Sequence, residues 1–120
     1  MENNYDNHPI DLSYLIEMLG NNRAFIVEFI DAFFEQTPLY LEEIENALFE
    51  HNWDRVARSA HKIKPTFAYF GRHDIKELVQ TIELDARETY PLDKVKTDVE
   101  LLKLALNKLY LQLVEVKVKL

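Results

Sequence analysis

Apolar residues along this chain recur at spacings of three and four, the period of helices that bury one face. Asp11 is placed to cap a short helix over 12–19, which Gly20 closes. Asn21 or Asn22 caps the next, where Phe25, Phe29, Ala32 and Phe33 open a stripe that Leu41, Ile44 and Leu48 continue. Pro38 lies inside it and predicts a kink or short break near 34–38, because proline removes a donor and clashes with the preceding turn. From an Asn52 cap, the positions Trp53, Val56, Ala60, Ile63, Phe67 and Phe70 read as the seam of a bundle helix that Gly71 ends. Asp74 with Glu77 has the spacing of an acidic capping box ahead of Ile75, Leu78, Val79, Ile82 and Ala86. After a Thr89-Tyr90-Pro91 turn, the last helix carries Leu92, Val95, Val99, Leu102, Leu106, Leu109, Leu113 and Val116. The pattern predicts an all-α fold, an up-down four-helix bundle with an additional short N-terminal helix, over residues 10–120. Residues 1–9 show no periodicity and are expected to be a flexible lead.

Composition agrees with helices. The 120 residues suit one domain, and two Gly with four Pro are too few for the turns of an all-β fold. The absence of Cys removes disulfides, thiolate metal sites and cysteine nucleophiles. The polar, acidic start is not a signal peptide, and no apolar run is long enough for a membrane span, so a cytoplasmic protein is expected, and the Met1 start suggests one that stands alone. A net charge of −7 argues against nucleic acid as a partner.

Within this acidic chain, Arg55, Arg58, Lys62, Lys64 and Arg72 form a basic run that no acidic residue interrupts after Arg55. His61 sits in its middle. On a helix it shares a face with Ala57, Arg58, Lys64, Pro65 and Ala68, and it directly follows the seam residue Ala60. An imidazole flanked by small residues and cations suits a phosphoryl group: a partner can approach, and the cations favour the phosphate once attached. The rival view is of a solvated histidine on a basic surface. His8, His51 and His73 have no such context. A di-metal bundle would need Glu-x-x-His, and ATP binding would need a glycine-rich loop; neither pattern occurs.

The stretch Ala60-His61-Lys62-Ile63-Lys64-Pro65-Thr66-Phe67-Ala68-Tyr69-Phe70-Gly71 resembles the signature of histidine-containing phosphotransfer (HPt) domains, Ala-His-x-Leu-Lys-Gly-Ser followed by Gly. Asn52-Trp53-Asp54 is similar to the family's helix start, and Ile82-Glu83 with Ala86-Arg87 to its Leu-Glu-x-x-Ala-Arg segment. The resemblance implies that His61 accepts the phosphoryl group on Nε2 and that Lys64, with Lys62 a weaker candidate, contacts the phosphate. It implies that Glu83 accepts a hydrogen bond from His61 Nδ1–H and so orients the ring. Pro65 departs from the family's glycine: it is also compact, but deletes the helix hydrogen bond to the His61 carbonyl. A docking face is expected from Leu15 and Met18 on the first helix, with Pro65 and Ala68 beside His61, although Leu15 could equally pack the bundle.

The function so implied is that of a monomeric phosphoryl carrier in a two-component phosphorelay, without kinase activity of its own. Its partners would be a response-regulator receiver domain, a hybrid histidine kinase, or both. No cofactor is expected in this chain; Mg²⁺ would come with the receiver, beside its Asp. A helical adaptor that binds a receiver without phosphotransfer is the main alternative, and a small bundle enzyme using His61 and Glu83 as an acid–base pair is a third.

Overall fold

A computed structural model describes residues 8–120; the lead expected at 1–9 falls mostly outside them. The described residues form five helices and no strand: α1 (Ser13–Leu19), α2 (Arg23–Phe49), α3 (Trp53–Tyr69), α4 (His73–Glu88) and α5 (Leu92–Lys119). α2 packs on α3, α3 on α4, α4 on α5 and α5 back on α2, while α1 rests against α2 and α3. The stripes of the four long helices meet in one core. Val56, Ala60, Ile63 and Phe67 from α3 are buried with Ile75, Val79, Ile82 and Ala86 from α4, and with Val95, Leu102, Leu106 and Leu109 from α5. Phe33 of α2 joins it through edge-on contacts with Phe67 and Phe70, at 6.1 and 5.1 Å between ring centres.

Asn22 and Asn52 cap α2 and α3, each side chain accepting the backbone N–H three residues on, at 3.2 Å. Asp11 acts one residue ahead of the formal cap of α1: its Oδ1 accepts from Ser13 N at 2.9 Å and from Ser13 Oγ at 2.6 Å. Gly71 has φ +71° and completes a Schellman turn, with Gly71 N–H bonded to Ala68 O at 3.0 Å and Arg72 N–H to Phe67 O at 2.9 Å. A Cβ at Gly71 would also lie 2.5 Å from the Asp11 Cβ, so the position must be glycine for the N-terminal segment to dock. That docking is fastened by Asp11 N–H on Phe70 O at 2.9 Å, and by Gln112 Nε2 on the His8 carbonyl at 2.8 Å.

Three expectations need correction. The first is the short break, one of the two outcomes expected near Pro38: α2 runs unbroken through it. Pro38 is exposed, while Phe33, Leu41 and Ile44 are buried on either side of the proline and hold both segments in one helix. The second is the acidic capping box. Asp74 lies inside the first turn of α4, and its carboxylate is held by Arg72 instead. Finally, Phe25 shares the stripe of α2 but is 52% exposed, because it sits in the first turn of that helix, where little packs over it.

Candidate functional site

The site is built on the α3–α4 hairpin. Ala60 and Ile82 are buried and face each other's helices across the core, and the next residue round on each, His61 and Glu83, comes to the groove between them. His61 Nδ1 lies 3.0 Å from Glu83 Oε2. Glu83 is sunk to 7% side-chain exposure, whereas the His61 ring stands 63% exposed at the mouth. Lys64, one turn on from His61, donates to Glu83 Oε1 at 2.8 Å, and Arg87, one turn on from Glu83, donates to Oε2 through Nε at 3.2 Å and Nη2 at 3.1 Å.

Burial pushes the Glu83 carboxyl up, but hydrogen bonds from Lys64 and Arg87, with the charges of Lys64 and His61, outweigh it and hold the group below the usual carboxylate range. Glu83 is therefore ionised near neutral pH and can only accept. The proton in the 3.0 Å contact must then belong to Nδ1, which leaves Nε2 as the ring nitrogen with a lone pair to offer.

The basic run around His61 does not survive folding as a patch. Arg55 turns to α2, where it pairs with Glu43 at 2.6 Å and with Glu50; Arg58 pairs with Asp54 at 2.9 Å. Arg72 is fully buried, bonded to both oxygens of Asp74 and, through Nη1, to Gln112 Oε1 at 2.7 Å. Lys62 and Lys64 remain near His61, and Lys64 is committed to Glu83.

Of the residues expected to dock a partner, Pro65 is exposed, Ala68 is half-buried, and both line a shallow groove next to His61 with Lys64. Leu15 does not belong there. At 1% exposure it packs the core, because α1 is short and turns its one fully buried residue inward. Met18 is exposed on α1 but stands outside that groove. Its α1 lining is Tyr14, stacked on Tyr69 of α3 at 5.2 Å, and Lys76 of α4 completes it. Tyr14 precedes Met18 by one helical turn, and Tyr69 follows Pro65 by one turn; that spacing was the available signal for both. A second shallow groove lies on the other side of the site, lined by Trp53, Ala57, Ala86, Arg87 and Tyr90. α3 itself continues through Pro65 without interruption. Among the described residues, no group of three or more His, Cys, Asp or Glu is placed to hold a metal ion.

The model of the Hpt domain family matches residues 28–113, which include all four residues of the His61 site. The chain belongs to the Hpt domain family, whose members are phosphocarriers of two-component signalling and interact with receiver domains and kinases. No curated protein and no solved structure matches it.

Proposed function

We propose that this protein is a phosphoryl carrier that exchanges the group between His61 Nε2 and an Asp of response-regulator receiver domains. The observation that carries this reading is the pairing of an exposed imidazole with a buried, ionised carboxylate on Nδ1. In the forward step the Nε2 lone pair attacks the phosphorus of the receiver's aspartyl phosphate. The P–N bond forms, the P–O bond to the Asp breaks, and its electron pair leaves on the carboxylate. The imidazole ring takes up positive charge, which Nδ1–H shares with Glu83. Lys64 leans from Glu83 toward the incoming phosphoryl oxygens while Arg87 keeps the carboxylate neutralised. The reverse step returns the phosphoryl group to an Asp. Mg²⁺ belongs to the receiver, and this chain supplies no turnover of its own.

In this reading residues 10–120 act as an up-down four-helix bundle with α1 laid over one end, working in the cytoplasm; among the described residues no helix is long and apolar enough to cross a membrane. The receiver docks over His61, on the groove of Tyr14, Pro65, Ala68 and Tyr69. An adaptor without phosphotransfer would need that groove and have no use for a buried carboxylate aimed at an exposed histidine.

The test is incubation with a receiver domain carrying labelled phosphate. Acid-labile, base-stable label is expected on the chain, and none on His61→Gln, which keeps a polar side chain on an exposed position and should melt at the same temperature. Label retained by the variant would move the acceptor elsewhere, and no label on either would leave the adaptor.

A further inference from the structure

α5 has two apolar lines. One, from Val95 to Leu113, faces α2 and α4 and is buried. The other points away from the bundle: Leu104, Leu111 and Val118 are spaced by seven, with Val114 beside them, and these four side chains are 51–81% exposed. Residues seven apart on an α-helix differ by only about 20° in direction, so the three form a nearly straight ridge. At 1.5 Å per residue the ridge is about 21 Å long. Isolated surface leucines need no explanation, but an ordered apolar ridge on the outer side of a helix does.

We infer that this ridge is the contact of a homodimer in which α5 packs antiparallel against α5 of a second copy. The charges along the ridge select that occupant. Lys108 and Glu115 are exposed and lie on the same flank of the ridge. In an antiparallel helix pair the same flank meets across the interface. A two-fold axis at Leu111 sets Leu111 on its counterpart and Leu104 on Val118 of the second copy. Lys108 then meets Glu115 of the second copy, and the symmetric pair repeats it. In a parallel pair Lys108 would instead face Lys103 of the second copy, which offers it no complementary charge; on the other flank of the antiparallel pair Lys103 approaches Lys117, each already paired within its own chain, with Glu45 and Asp31.

The contact is small. Four partly exposed apolar side chains, with the stems of their neighbours, make a contact at or below the lower end of specific interfaces, roughly 1,200 Å² in total. The dimer is therefore expected to be dissociable. It replaces the monomer expected from the sequence, and it leaves the α3–α4 groove open in both copies, since α5 lies on the far side of α4 and α2 from it.

The chain contains no cysteine, so a single introduced thiol reports on the arrangement directly. Sedimentation of the full chain between about 5 and 500 μM should show the mass rising from one copy toward two. Leu111→Glu should hold it at one copy with unchanged melting temperature. Under mild oxidation Leu111→Cys should cross-link to a dimer and Leu104→Cys should not, because only position 111 meets itself. Lys108→Glu and Glu115→Lys should each weaken the dimer several-fold, and the two together should restore it. A wild-type chain that remains a single copy throughout, even if another protein binds the ridge, overturns the inference. So does cross-linking of Leu104→Cys as readily as Leu111→Cys, or a double charge swap that fails to restore association.

Discussion

Two charged residues of α4 and its approach are buried, and they are buried for different ends. Arg72 lies at the foot of α4 with partners from inside the fold: both Asp74 oxygens and Gln112, which in turn holds the His8 carbonyl. At its margin the exposed His8 ring lies 3.8 Å from Asp74. Glu83 lies mid-helix with the same density of bonds, yet each of its partners, His61, Lys64 and Arg87, runs from the buried carboxylate out to solvent. A buried charge bonded to neighbouring elements of the fold fixes their packing. One whose partners emerge at the surface transmits its orientation and charge to whatever docks there. Loss of the first should therefore be read in stability, and loss of the second in chemistry.

Arg72→Ala is the harshest test of that division on the stability side. Asp74 would keep a charge without its cation, and the α4–α5–lead junction would lose its centre, a cost of about 3–5 kcal/mol in urea unfolding. Phosphoryl acceptance by the fraction that remains folded should be unaffected. Acceptance that falls in step with Glu83 variants would erase the distinction between the two networks.

Glu83→Ala should behave oppositely. Its three partners can each reach water, so the stability loss should stay near about 1–2 kcal/mol. Phosphoryl uptake should slow by about tenfold or more, as for other groups that orient a reacting ligand. The ¹⁵N shifts of His61 should show the Nδ1–H form giving way to a mixture. Unchanged tautomer and rate would make Glu83 a packing residue like Arg72.

Acid should weaken both networks. Burial raises the Asp74 carboxyl, but Arg72, with smaller help from the Ile75 backbone and His8, brings it below its usual 3.8; Glu83 is held below its usual 4.5. Carboxyls lowered by folding stabilise the native state fully above those usual values, and the contribution is lost as pH falls through and below them. Asp74→Asn and Glu83→Gln should each flatten the fall of stability below about pH 4.5 without changing its slope above pH 6. The smallest effect belongs to Tyr110, whose buried hydroxyl has no hydrogen-bond partner among the described residues and whose pKa burial pushes up to about 12. Tyr110→Phe should leave stability unchanged or raise it by less than about 1 kcal/mol, seen as a small rise in melting temperature.

His61 and Glu83 could be paired from sequence because each follows a seam residue, Ala60 and Ile82, on helices joined by a tight turn. Periodicity states which side of a helix is apolar. It does not state how far along its length a neighbour covers it, and so Phe25 and the outer ridge of α5 escaped, and Leu15 stayed open between the core and the docking face. The buried Arg72 was illegible for a different reason. Next to Gly71 and His73 it reads as part of a basic run, and the arrival of Gln112 from forty residues away, which helps to bury it, is not visible locally. Pro38 misled because its local penalty is visible in sequence and the tertiary packing that overrides it is not.

All the polar parts of the His61 site, from His61 to Arg87, lie on one hairpin closed by the three residues between α3 and α4. Joining ends so close along the chain costs little loop entropy, and contacts of short sequence separation are the ones that form fastest. The site is thereby kinetically local: His61, Lys64, Glu83 and Arg87 can come together as soon as α3 and α4 zip, before the distant strands of contact from α1 and α5 are in place. Opening of the chain ends, as hydrogen exchange would register it, should leave the amides around His61 protected longer than those of α1.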